Sequence, residues 1–224
     1  MIRPKYLIFA AILLMMGYVM VHNERFLVEP ENPVWAHYSK YGWWLLTHGV
    51  AGAAALFLAP LQFSDRLRKR YARFHRMCGY VYVAGVFALA PLGVYVQLVS
   101  EGLEGSPRSF TVLAAADGLM LIVTTAIAVM FARQRRLTQH RQWMTRSYAV
   151  ALVFFEGRLI LGLTGLETAG VEIVQAVIWT CLALSVPLAD IINDWDELRR
   201  AATAPRRSPA RIDVSARAVA APSA

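Results

Sequence analysis

The stretch FTVLAAADGLMLIVTTAIAVMFA, Phe110–Ala132, decides the fold class of this chain, and Asp117 is its only charged residue. A continuous apolar stretch of about 18 or more residues is long enough for an α-helix to cross the hydrocarbon of a bilayer. Backbone amides find no water there, so such a segment satisfies its hydrogen bonds internally as a helix. The stretch therefore predicts a membrane-spanning helix.

Similar stretches recur on both sides of it. The chain is 57% hydrophobic and 17% charged, whereas a soluble domain carries about 25% charged residues. The first stretch has a basic start but no small-residue cleavage site after it, which indicates a retained helix. The six apolar segments are Tyr6–Val21, Trp43–Phe63, Met77–Val99, Phe110–Ala132, Ser147–Leu163 and Val171–Ile192.

These segments predict an all-α fold: a polytopic membrane protein with a bundle of six transmembrane helices over residues 1–200. The remainder, 201–224, is rich in Ala, Pro, Arg and Ser, and we expect a disordered cytoplasmic tail there. The two cysteines, Cys78 and Cys181, lie inside apolar segments and are expected to pack as small apolar side chains.

The positive residues lie mostly on one side of the predicted bundle. All Lys and Arg residues except Arg25, Lys40, Arg108 and Arg158 fall at the N-terminus, in the loops after the second and fourth segments, or in the tail. Positively charged loops stay in the cytoplasm, so both termini are predicted to lie there, in a bacterial inner membrane. The net charge of +8 then fits anionic headgroups of the cytoplasmic leaflet and not nucleic acid. The sequence leaves the oligomeric state open.

Four ionisable side chains fall inside the predicted spans, where they are costly and usually face the bundle interior. They are His48 in the second segment, Asp117 in the fourth, and Glu156 and Arg158 in the fifth. Counted from the segment ends at about 1.5 Å per residue, they lie roughly 8 to 14 Å below the outer surface. This common depth predicts an outer polar pocket, in which Arg158 binds an anionic group while His48 and an acidic neighbour exchange protons.

A structural role explains the same four residues. In that case Arg158 neutralises Asp117 or Glu156, and the buried charges only fix how the helices pack. Glu156 and Arg158 are two residues apart and lie on different faces of a helix, so they need separate partners. The sequence leaves both interpretations open.

A second pair of candidates lies at the cytoplasmic ends of the third and fifth segments. His75 and His140 are each followed by an arginine, Arg76 and Arg141, and an arginine also precedes each histidine by five residues. The likeness suggests that the second and third segments, and the fourth and fifth, form related hairpins in the same orientation.

Two imidazoles at one depth on different helices are what bis-histidine ligation of a b-type haem requires. Arg76 and Arg141 would then bind the haem propionates. The alternative is that the two histidines are interfacial residues among arginines that contact headgroups, because they lie at the membrane edge. No HExxH, HxxxH or acidic cluster predicts a metal site, and no nucleophile paired with a base is visible.

Several motifs resemble those of a bacterial family of predicted membrane proteins that is known as a domain of unknown function, number two-three-zero-six. They are His48, Pro60-Leu61-Gln62-Phe63, Leu67-x-x-Arg70, His75-Arg76-x-x-Gly79-x-x-Tyr82, His140-Arg141-x-Trp143-Met144-x-Arg146-Ser147-Tyr148 and Arg158. The resemblance covers roughly His48 to Arg158 and brings no established activity. It points to His48, Gln62, Arg70, His75, Arg76, His140, Arg141, Trp143, Arg146 and Arg158 as functional positions; Asp117 and Glu156 lie outside the pattern.

Three functions follow, in this order. The first is binding or transport of a small solute or protons in an outer pocket built around His48 and Arg158. The second is a membrane redox protein that holds a b-type haem through His75 and His140. The third is a structural or assembly protein whose buried charges fix its packing.

Overall fold

The computed structural model of the chain describes residues 4–29 and 31–203, and the regular structure in these ranges is entirely helical. Short 3-10 turns occupy Arg25–Val28, Tyr38–Lys40 and Leu166–Thr168. The α-helices of the described residues are α1 (Pro4–His22), α2 (Val34–His37), α3 (Gly42–Gln62), α4 (Asp65–Arg70), α5 (Ala72–Glu104), α6 (Arg108–Arg133), α7 (Leu137–Thr164), α8 (Val171–Asn193) and α9 (Trp195–Thr203).

Five of these helices, α3, α5, α6, α7 and α8, are long and apolar enough to cross a membrane by length and composition. The helix α1 contains a shorter apolar stretch, Leu7–His22. The prediction of an all-helical membrane protein is confirmed for the described residues, and a sixth span stays a prediction. Both α5 and α7 begin before their apolar segments, so His75 and His140 each stand in the first turn of a long helix.

Four helices close a ring, because α3 packs against α5, α5 against α6, α6 against α7, and α7 against α3. The connections from α5 to α6 and from α6 to α7 are short, so neighbouring helices are antiparallel. It follows that α5 and α7 run in the same direction on one diagonal of the ring. The helices α3 and α6 form the other diagonal.

The contact between α3 and α5 depends on a glycine. A Cβ atom on Gly85 would lie 2.9 Å from the carbonyl oxygen of Ala51 and 3.5 Å from the amide nitrogen of Ala55. Small residues let two helix backbones approach this closely in a membrane, where packing replaces the hydrophobic effect as the driving force. The backbone of α5 therefore lies directly on the small face of α3.

Two further helices pack on the outside of the ring. The helix α8 contacts α7 and α6, with Ile178 lying over Gly157. The helix α1 contacts α7, where the ring of Tyr18 lies over Gly162. The most buried side chains, which include the free thiols Cys78 and Cys181 as expected, lie where these helices meet.

By its contacts the chain divides into two units, Met1–Asn193 and Asp194–Ala224. The second unit contains α9, which has acidic residues in its first turn and Arg200 in its last, an arrangement that complements the helix dipole. Since α9 ends at Thr203, the first residues of the predicted tail are helical. The rest of that tail, 204–224, lies outside the described residues, and the boundary at 200 stays a prediction.

Candidate functional site

Three buried hydroxyl groups join helices α5, α6 and α7 in the middle of the ring. The Oγ atom of Ser147 lies 2.7 Å from Oη of Tyr82 and 2.7 Å from Oγ1 of Thr125. All three residues are fully buried. A buried hydroxyl without a partner is destabilising, so this network fixes both the height and the rotation of the three helices relative to one another.

The network places the two predicted histidines level with each other. His75 precedes Tyr82 by seven residues, and His140 precedes Ser147 by seven. Seven residues are nearly two helical turns, about 10 Å, so each histidine lies below its hydroxyl partner on the same helix face. Because α5 and α7 run in the same direction, the two histidines lie at one height along the ring.

The two imidazoles differ in their hydrogen bonds. Nδ1 of His140 lies 2.9 Å from the carbonyl oxygen of Ala128 on α6, so Nδ1 is the protonated nitrogen and Nε2 carries the free lone pair. Nδ1 of His75 is buried and has no hydrogen-bond partner among the described residues. The site thus contains two ring nitrogens whose lone pairs or protons are not used by the protein.

A buried amide lies beside this pair. Nε2 of Gln62, near the end of α3, also has no hydrogen-bond partner within the described part of the chain. Its Oε1 atom lies 3.7 Å from the position that a Cβ atom on Gly79 would take, one turn after His75. Buried polar groups without a partner are rare and call for an explanation such as a ligand or a water molecule.

Arginine side chains surround the end of the site at which α5 and α7 begin. Arg76 and Arg141 are exposed, and the charge of Arg68 acts on His75. Arg70 packs over the ring of Tyr71 and helps line an open hollow of about 280 Å³, whose walls are Ser64, Arg66, Leu67, Arg70 and Tyr71. This end of the ring can therefore hold anionic groups.

The remaining motif residues of α7 fasten the helix to its neighbours. Nε of Arg146 donates to Oδ1 of Asp190 on α8 at 2.6 Å, and its guanidinium lies 4.6 Å from the ring centre of Trp143. The hydroxyl of Tyr148 donates to the carbonyl oxygen of Leu56 on α3 at 3.3 Å. These contacts assign Trp143, Arg146 and Tyr148 a structural part.

In the half of the ring near the start of α3, which the sequence analysis predicts to be the outer half, His48 is held against α5. Its Nδ1 atom lies 3.1 Å from the carbonyl oxygen of Leu89. A Cβ atom on Gly93 would lie 3.0 Å from Cε1 of the imidazole. Gly93 therefore makes room for the ring, and the bond to Leu89 leaves Nε2 of His48 uncommitted.

Asp117 is the most buried of the predicted charged residues, with 8% of its surface exposed. Its Oδ1 atom has no hydrogen-bond partner among the described residues. The next residue, Gly118, lies over Ala90 of α5, whose Cβ atom would be 3.3 Å from a Cβ on the glycine. Asp117 is thus at the same height along α5 as His48.

The structural interpretation expects Arg158 to pair with Asp117 or Glu156. Its guanidinium instead pairs with Glu24, the second residue after α1. Glu24 is 17% exposed and Arg158 is 45% exposed at the side chain, so the arginine lies at the margin of the bundle. Glu156 of α7 is half-buried. The structure therefore does not bring the four predicted residues together around one bound group.

A separate polar cluster lies where α3 begins and α5 ends. The hydroxyl of Tyr41 donates to the carboxylate of Glu104 at 3.1 Å, and Oγ of Ser100 donates to the same carboxylate at 3.1 Å. Burial, followed by the hydrogen bond to Glu104, raises the pKa of Tyr41 to about 12. This cluster ties the start of α3 to the end of α5.

Sequence reasoning missed two groups: the Tyr82–Thr125–Ser147 network, and Glu24 as the partner of Arg158. The resemblance pointed to Gln62, and the structure adds that its buried amide nitrogen has no hydrogen-bond partner among the described residues. The network had a signal, because Tyr82 and Ser147 stand at the same distance from the two histidines. Glu24 had none beyond its place in an outer loop. Among the described residues, no three His, Cys, Asp or Glu side chains cluster as a metal site requires.

A family model with the description "Predicted membrane protein (DUF2306)" matches residues 45–193. The match begins within α3 and ends at the last residue of α8, so α1 and Glu24 lie outside it. No curated protein and no solved structure matches the chain.

Proposed function

The chain belongs to this family of predicted membrane proteins, DUF2306, and we propose that it crosses a bacterial inner membrane six times with both termini in the cytoplasm. Five long apolar helices and the shorter apolar stretch of α1 support this number. The arginines that flank α4 and the α6–α7 connection support the orientation. They also make anionic headgroups of the cytoplasmic leaflet the expected lipid partner.

Thiol labelling tests this topology. Ser39 and Lys69 are both exposed, and they lie in connections that the proposal puts on opposite sides of the membrane. A membrane-impermeant maleimide added to intact spheroplasts should label the Ser39→Cys variant and not the Lys69→Cys variant, whereas both react after lysis. The reverse pattern would overturn the orientation, and labelling of both in intact cells would overturn the number of spans.

For the inner half of the ring we propose that His75 and His140 hold a b-type haem, which makes the chain a membrane redox protein. The observation that carries this proposal is the hydrogen bond between Tyr82 and Ser147. It sets two parallel helices at one height, so that the histidines seven residues earlier lie level with each other on the two helices of this diagonal. Helix bundles build cofactor sites from side chains on facing helices in this way.

The residues present fit this group. His140 donates Nδ1–H to a backbone carbonyl, the outer contact that orients a ligating imidazole and leaves Nε2 for the metal. His75 is partly buried and has an unused Nδ1. Arg76 and Arg141 follow the two ligands and would pair with the propionates. A bound haem would supply reversible one-electron transfer, and the helices would hold and orient it.

The absorption spectrum of protein purified from cells supplied with haem tests the proposal, first oxidised and then reduced with dithionite. We expect a Soret band and sharp reduced α-bands, and we expect His75→Ala and His140→Ala each to lose them. His22→Ala is the matched control, because that imidazole contacts Glu167 at the outer end of α1. A featureless spectrum of the unaltered protein, or full bands in either ligand variant, would overturn the proposal.

In the outer half, the contacts do not support the solute-binding pocket around Arg158 that the sequence suggests. Arg158 is occupied by Glu24, so no observation favours it as the holder of an anionic solute. Binding or transport of a small solute there stays a prediction. Among the ionisable groups of this half, Asp117 is the most buried, and His48 lies at the same height along α5.

A further inference from the structure

A second pair of ionisable side chains lies on the other diagonal of the ring. His48 belongs to the face of α3 that carries the buried residues Gly52, Ala55 and Ala59. Asp117 belongs to the face of α6 on which Leu113 and Leu121 are buried. Both spacings are helical repeats of three or four residues, so both side chains point from opposite helices toward the interior.

The same turn of α5 sets both residues at one height. The imidazole of His48 bonds to the carbonyl oxygen of Leu89 and lies against Gly93. Gly118, the neighbour of Asp117, packs on Ala90 in that turn. The pair is therefore in register across the axis, on the outer side of the Tyr82–Ser147 network.

The unpartnered carboxyl of Asp117 decides what this pair can do. An isolated carboxylate in a low-dielectric interior is so costly that the group takes up a proton instead. A carboxylic acid then needs an acceptor for its O–H, and Nε2 of His48 is an acceptor that the protein leaves unused. We propose that Asp117 and His48 form a proton-binding site in the outer half of the membrane. Asp117 holds the proton, and His48 accepts its hydrogen bond through one water molecule.

The other ionisable groups of this half of the chain form no ion pair with Asp117 among the described residues. Arg158 from α7 pairs with Glu24, and Glu156 of α7 is half-buried. Tyr95 of α5 packs edge-on against Trp44, with ring centres 4.9 Å apart. Within the described residues no lysine or arginine forms an ion pair with Asp117, so none of them compensates an ionised carboxyl.

This site is independent of haem in the inner half, because it shares no residue with His75 and His140. A protein without haem can therefore contain it, and a haem protein can lack it. Buried carboxyl and imidazole groups at membrane depth are the parts from which proton relays are built. The class of ligand is the proton itself, and no other reactant is required.

Infrared spectroscopy of the protein in detergent at neutral pH tests the proposal. The C=O stretching band of a protonated carboxylic acid should appear in the difference spectrum between the unaltered protein and Asp117→Asn, and it should shift in D₂O. Glu156→Gln is the matched control, a second carboxyl at similar depth, and it should leave this band in place. Absence of the band from the Asp117→Asn difference spectrum would show an ionised carboxyl and overturn the proposal.

The pairing with His48 has a separate readout. His48→Phe keeps a ring beside Gly93 but removes the acceptor, so the Asp117 band should move to higher frequency. His48→Gln retains an acceptor and should keep the band near its original position. An unshifted band in His48→Phe would show that Asp117 holds its proton without His48. Circular dichroism and elution volume confirm that each variant is folded.

Discussion

Tyr82 and Ser147 share a hydrogen bond of 2.7 Å between helices α5 and α7, which also carry His75 and His140. Thr125 of α6 reaches the same Ser147 oxygen. One serine hydroxyl therefore aligns three helices of the ring. The candidate cofactor site depends on this alignment, since each histidine takes its height from a member of the bonded pair.

The first prediction concerns the centre of that network. Tyr82→Phe removes one hydrogen bond and leaves Ser147 bonded to Thr125, so it should destabilise the fold by about 1 kcal/mol. Ser147→Ala leaves two buried hydroxyls without this partner and should cost about 2–3 kcal/mol. Thermal unfolding in detergent gives the comparison, with the double variant costing less than the sum of the two. If Tyr82→Phe lowered the stability more than Ser147→Ala does, Ser147 would not be the centre of the network.

A second prediction tests the approach of α3 to α5. Gly85→Ala adds a Cβ atom 2.9 Å from a backbone oxygen. Because no side-chain rotation can relieve this clash, we expect the free energy of unfolding to fall by about 1–3 kcal/mol. Gly102→Ala on the same helix is the control, because nothing lies within 4 Å of its added Cβ. That change should stabilise α5 by up to about 1 kcal/mol, the helix preference of alanine over glycine. Equal unfolding midpoints for the two variants would refute the close contact.

The third prediction concerns the ion pair between Arg158 and Glu24. Glu24→Gln leaves a guanidinium unpaired at the bundle margin. The free energy of unfolding should therefore fall by an amount between the roughly 1 kcal/mol of an exposed pair and the roughly 3 kcal/mol of a buried one. Combining it with Arg158→Gln should restore part of this stability, because no charge is then left alone.

Arg25→Gln provides the control for that pair. Arg25 donates to Glu29 in the same loop, but its side chain is 70% exposed, so its removal should leave the unfolding midpoint unchanged. Purely additive effects of Glu24→Gln and Arg158→Gln would mean that the two charges do not interact.

The fourth prediction is a dependence of stability on alkaline pH. The folded protein raises the pKa of Tyr41 above its usual value of 10.0, to about 12. The phenol therefore contributes stability in full below pH 10.0, and this contribution disappears as the pH rises through about 12. The unfolding midpoints of the unaltered protein and Tyr41→Phe should differ at pH 8 and converge toward pH 12. A constant difference would show that the hydroxyl proton is not involved.

The sequence predicts which segments are helices and how deep each residue lies along them. It does not predict which helices, or which side chains on them, pack against each other. Hydropathy identifies α3, α5, α6, α7 and α8 because every apolar residue in a span lowers its transfer free energy independently. Which face of a helix meets which neighbour depends on small differences in packing. For that reason depth grouped Asp117 with Arg158, while the structure gives Arg158 a partner from outside the spans.

The inner site shows how far a local repeat can be used. The matching His-Arg pairs indicated two related helix entries, and the structure places both histidines in the first turn of a long helix. What the repeat did not reveal is that the residue seven positions later, tyrosine in one copy and serine in the other, would form the bond between the copies. The equal spacing from the histidines was visible in the sequence, but two different side chains at equivalent positions gave no sign that they bond to each other.

The pairing of Glu24 with Arg158 also implies an order of assembly. The two residues are separated by most of the spanning region, and the ribosome makes the N-terminal part of a chain first. The glutamate therefore leaves the ribosome well before its arginine exists, and α1 reaches the bilayer while its docking surface on α7 is still unmade. Attachment of α1 is consequently a late event in biogenesis, and until then this helix depends on lipid or on the insertion machinery for its neighbours.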